Sequence, residues 1–94
     1  MPLSMQNLAT ARDIVQNLLE YLDVDAYVFD VEPGENAWLI HLECGAEDGW
    51  HTRVIEVEPA RLTNTESDVG ERERLVQEWD RILSDCQRRH AQPI

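Results

Sequence analysis

Residues 26–58 read AYVFDVEPGENAWLIHLECGAEDGWHTRVIEVE, and this stretch decides the fold. Tyr27, Phe29 and Val31 alternate with Val28, Asp30 and Glu32, the two-residue period of a half-buried strand over about 26–32. Pro33-Gly34-Glu35-Asn36 then supplies turn chemistry, because proline presets φ and glycine accepts positive φ. A second strand over about 37–44 places Trp38, Ile40, Leu42 and Cys44 on one face and Leu39, His41 and Glu43 on the other. Gly45–Gly49 makes the next turn, and a third strand over about 50–58 stops at Pro59. Connections this short join antiparallel neighbours, so the three strands form a meander.

Turn length suggests a register in which Glu32 opposes Ala37, Phe29 faces Ile40 and Tyr27 faces Leu42. Tyr27, Phe29, Val31, Trp38, Ile40 and Leu42 then share the core face. In the third strand, Ile55 and Val57 are expected inward, because the opposite choice buries glutamates along with Trp50, Thr52 and Val54.

Helices flank the meander. Met5, Leu8, Ala11, Ile14, Val15, Leu18, Leu19 and Leu22 recur at helical spacing over about 4–22, with Ser4 as the expected N-cap. Leu75, Val76, Trp79, Ile82, Leu83 and Cys86 do so over about 70–90, where Asp68 and Glu71 resemble a capping pair. Glu71 and Glu73 early, with Arg88 and Arg89 late, suit the helix dipole. The Glu/Arg pattern of this helix reads as a solvated face held by pairs such as Glu78 with Arg81 and Asp85 with Arg89. Residues 59–69 read as a polar loop. The expected fold is α+β in the order α-β-β-β-α, one domain over 1–94, with both helices packed on one face of the sheet.

The charge is lopsided. Net charge is −11, and all eight basic residues are arginine. Residues 1–52 hold ten acidic side chains and one basic one, a net of −9; residues 53–94 sum to −2. Binding to phosphate backbones draws on basic patches, so this field argues against nucleic acid and anionic membranes and favours basic partners. No apolar run is long enough to span a bilayer. The first residues lack the pattern of a secretory signal, so Cys44 and Cys86 are read as reduced, buried small hydrophobes in a cytoplasmic protein. A redox pair becomes the alternative if the second helix crosses the end of the second strand.

With two helices on one sheet face, nothing in the chain is left to cover the other. That face is expected to carry Ala26, Val28, Asp30, Leu39, His41, Glu43, Trp50, Thr52, Val54 and Glu56. Val28, Leu39, Trp50 and Val54 would form an apolar patch rimmed by carboxylates. It reads either as an ordinary solvated sheet face or as a contact surface for another protein or a second copy. Asp30, His41 and Glu43 share the face, with Asp30 expected diagonal to His41; a histidine beside carboxylates is the raw material of a general base, but no pocket or oxyanion donor accompanies it. Metal ligation by His41, Cys44 and His51 fails on geometry, since residues 41 and 44 point to opposite faces of one strand. No cofactor motif, glycine-rich phosphate loop or nucleophilic constellation stands out.

The element order is similar to that of double-stranded RNA-binding domains, which use basic residues at the start of the second helix; here that stretch is Gly70-Glu71-Arg72-Glu73-Arg74, without the required charge. The small size, acidity and leading amphipathic helix also resemble part of a type III secretion chaperone, in outline and composition. The resulting expectation is a non-enzymatic protein-binding or self-associating module using the open face, through Val28, Asp30, Leu39, His41, Glu43, Trp50, Val54 and Glu56. Its competitors are an acidic inhibitor or immunity-like protein for a basic target, and a small enzyme using Asp30, His41 and Glu43.

Overall fold

The first helix, α1 (Met5–Tyr21), lays its apolar stripe on the sheet: Ala11, Ile14, Val15, Leu18 and Leu19 are buried, with Leu22 just beyond. A computed structural model describes residues 5–88, so Ser4, Arg89 and His90 lie outside the described residues. Strands β1 (Tyr27–Pro33), β2 (Trp38–Ala46) and β3 (Gly49–Val57) follow as an antiparallel meander in the order β1-β2-β3. A short helix, α2 (Pro59–Asn64), and a longer one, α3 (Val69–Ile82), complete the helical layer. The fold is α+β, as the sequence implies.

Facing is as expected, but register is not. Pro33 joins β1 and pairs with Trp38, so Phe29 faces Leu42 and Val31 faces Ile40, two residues displaced from the expected pairing. A shift of two preserves which side chains face the core. The cause is the turn, which is closed by the Gly34 N–H donating to the Ala37 carbonyl, so β1 runs further than its proline suggests. The second turn is tighter than expected: Ala46 pairs with Gly49, leaving only Glu47 and Asp48 between them. Gly49 has φ +129°, a conformation side-chain-bearing residues rarely adopt.

Residues 59–69 are not simply a loop. Pro59 starts α2, where its missing N–H costs nothing, and Leu62 anchors the helix in the core. The second long helix is shorter than its periodicity implies. It ends at Ile82, and residues 84–86 turn back toward the sheet. Leu75, Trp79, Leu83 and Cys86 form its buried stripe, while Ile82 at its last residue is left 40% exposed.

Asp68 caps α3: its carboxylate accepts from the Gly70 and Glu71 N–H groups at 3.0 and 3.2 Å. Glu71 does not complete a capping box; its side chain pairs with Arg74 and lies near Arg61. Removing one such cap costs about 1 kcal/mol. We expect Asp68→Ala to lower the urea midpoint correspondingly, and an unchanged midpoint would show that the cap adds nothing. The expected partner of Arg81, Glu78, instead reaches across to Arg61 on α2, and Asp85 pairs with Arg53 on β3.

The cysteines are bonded, not reduced. Cys44 ends the inward row of β2, Cys86 lies in the turn after α3, and their Cα atoms are 5.6 Å apart across a disulfide. The final described residues are stitched in around it. Gln87 donates to the Gly45 carbonyl and accepts from Asp25, while Arg88 bridges to Val24 and donates to the Leu22 and Leu83 carbonyls. This segment fills the gap between the end of α1 and the end of β2, burying Val24 completely.

Candidate functional site

The helices cover one face of the sheet; among the described residues, nothing covers the other. Strand parity and pairing set its layout. Val28 lies opposite Glu43, which lies opposite Thr52; Asp30 opposite His41, then Val54; Glu32 opposite Leu39, then Glu56. Trp50 stands beyond Thr52, opposite Gly45, at the hairpin end of β3. Val28 is 64% exposed, and Trp50 and Val54 are each 58% exposed. A strand at the sheet edge would ordinarily carry polar residues at such positions.

This layout corrects the expected one in three respects. The patch is not an apolar centre with an acidic rim. Val28 and Val54 sit on the outer strands, and Glu43 and His41 stand between them on β2. Carboxylates are therefore interleaved with the apolar groups. Leu39 is only half-exposed, because the turn at Gly34 lies against its side chain.

His41 is directly opposite Asp30, not diagonal to it, and its Nε2 meets Glu32 Oε2 at 2.8 Å. Glu32 is the residue the sequence reading omitted from this face. Its position two residues after Asp30 was the available signal, since alternate residues share a face. Asp30, His41 and Glu43 do share the face, but His41 bonds outside that trio. Surface hollows lie between α1 and the start of α3 around Tyr21 and Arg72, and beside Ser84 and Asp85.

His51 is on the opposite, helix-side face. It contacts Asp48 at 2.8 Å and Asp85 at 3.4 Å, and Arg53 shares Asp85. With Cys44 held in the disulfide, His41, Cys44 and His51 cannot act together as ligands. Among the described residues, no three His, Cys, Asp or Glu side chains converge to hold a metal ion. No described helix is long and apolar enough to cross a membrane.

The electrostatics of the open face are one-sided. Asp30, Glu32, Glu43 and Glu56 project from it, and among the described residues no arginine does and His41 is its sole basic side chain. Four arginines pair with carboxylates away from this face: Arg53 with Asp85, Arg61 with Glu78, Arg74 with Glu71 and Arg88 with Asp80. Comparison with known proteins found no match among family models, curated proteins or solved structures.

Proposed function

We propose that this chain is a non-enzymatic protein-binding module whose contact surface is the open face of its sheet. The observation carrying this reading is the exposure of Val28, Trp50 and Val54 on a face that no element of the described chain covers. Solvated sheet faces tolerate scattered apolar groups, but a tryptophan and two valines on the two outer strands give a partner apolar anchors at several points. The open character of the face suits docking better than catalysis.

The disulfide bears on where the protein works. The cytoplasmic expectation drew on reduced thiols, and disulfides persist chiefly in oxidising surroundings. The reading we favour is a setting oxidising enough to keep Cys44 and Cys86 joined.

The test is a comparison of immobilised wild type with Val28→Asp and Trp50→Asp in extract from the source cells. Both positions are exposed, so both variants should fold with the wild-type thermal midpoint. We expect the wild type to retain proteins that both variants lose. Identical retained sets from all three would overturn the reading.

A further inference from the structure

We propose that the occupant of the open face is a basic segment of a different protein, with arginine or lysine side chains interspersed among apolar ones. This inference rests on the docking reading above and adds the chemistry of the partner.

The order of side chains across the three strands dictates what the occupant must carry. An occupant wide enough to touch both Val28 and Val54 must pass over β2, where Glu43 and His41 stand between them. Strands are about 4.8 Å apart and the two valines are offset by two residues along the strand, so they are roughly 12 Å from each other, within the reach of one docked segment. Asp30, Glu32 and Glu56 lie beside the same path. Docking there desolvates some of these carboxylates, and an apolar surface alone would leave them without partners. Cations placed between the apolar contacts satisfy both demands.

A second copy meets this requirement poorly. In a two-fold dimer the same patch supplies both sides, and this patch has four carboxylates and no arginine. Bringing two such faces together sets carboxylate against carboxylate, with only His41 as counter-charge. A phosphate-bearing partner meets the same repulsion. A divalent cation has no converging ligand set among the described residues.

A synthetic peptide of alternating arginine and valine, long enough to cross the three strands, is a suitable probe. Its counterpart replaces each arginine with glutamate. Trp50 reports binding through its fluorescence, because Trp38 and Trp79 are only 3% and 1% exposed. We expect the arginine peptide to perturb the emission saturably and the glutamate peptide to leave it unchanged. Glu43→Arg should weaken binding at least about tenfold, and raising salt from low to physiological strength should weaken it further. Glu73→Arg, an equal charge change on the exposed side of α3, should leave affinity within about twofold.

Equal weakening by Glu43→Arg and Glu73→Arg would overturn the proposal, since binding would then follow net charge and not the face. Absence of binding to the arginine peptide would also overturn it. Sedimentation decides the alternative occupant. A wild-type dimer dispersed by Val28→Asp would overturn the basic-partner inference while leaving the docking face intact. Loss of the docking face itself is read separately, from the retained proteins of the Val28→Asp and Trp50→Asp variants.

Discussion

Replacing Cys44 and Cys86 together by alanine, or reducing the wild type with dithiothreitol, is expected to remove about 4 kcal/mol of stability. The figure follows from loop closure. The bond joins residues 42 apart in sequence, and the denatured chain loses conformational freedom in proportion to the logarithm of that span. A domain of this size has roughly 5–15 kcal/mol in total, so the bond accounts for a large part of the margin. The thermal midpoint should fall by about 20 °C. The effect is also local. Cys86 holds the segment in which Gln87 and Arg88 bind the carbonyls of Gly45 and Leu22, so reduction should first expose backbone amides near Val24, Gly45 and Gln87 to hydrogen exchange. Equal denaturation midpoints with and without dithiothreitol would contradict this account.

Trp79→Ala is expected to cost about 3–5 kcal/mol, the range for truncating a fully buried large aromatic side chain. Trp79 is the largest of the fully buried side chains and lies mid-stripe on α3, between Leu75 and Leu83. Trp50→Ala offers the control, a change of the same chemistry at a 58% exposed position on the other side of the sheet. It should shift the urea midpoint by no more than about 0.5 kcal/mol equivalent. Comparable losses from both variants would mean that the layered core is wrongly described.

How much of this was legible in the sequence depended on whether local pattern or distant contact decided the matter. The stripe of α1, the alternation of β1 and β2, and the inward choice of Ile55 and Val57 follow from periodicity and from the cost of burying Glu56 and Glu58. Register did not follow, because it depends on how the chain turns at Gly34–Ala37, and a shift of two leaves the hydrophobic pattern unchanged. That shift also changed the neighbours of His41 from an Asp30 diagonal to an Asp30 opposite and a Glu32 bond. The helix α2 was hidden because six residues with one buried leucine carry no period. The end of α3 was hidden because Leu83 and Cys86 continue the helical spacing while the backbone turns at Ser84 and Asp85. The disulfide stayed an alternative for the same reason: its partners meet only once α3 ends and the chain folds back on β2.

The open face was legible at the level of parity alone. Nine of its ten expected residues stand on the strands where alternation puts them, Ala26 lies just before β1, and Glu32 was within reach of the same rule. Its interleaved charge required the register, since only the pairing shows that Glu43 and His41 stand between the two exposed valines.

The central claim, that the open sheet face is the surface through which this protein meets its partner, is tested most directly by photo-crosslinking in the source cells. A photoreactive residue replaces Val54 on the open face in one variant and exposed Glu73 on α3 in another. The account predicts a discrete protein adduct from position 54 and none from position 73, with the adduct lost when Glu43→Arg is added. Adducts of equal yield from both positions, or from position 73 alone, would contradict it.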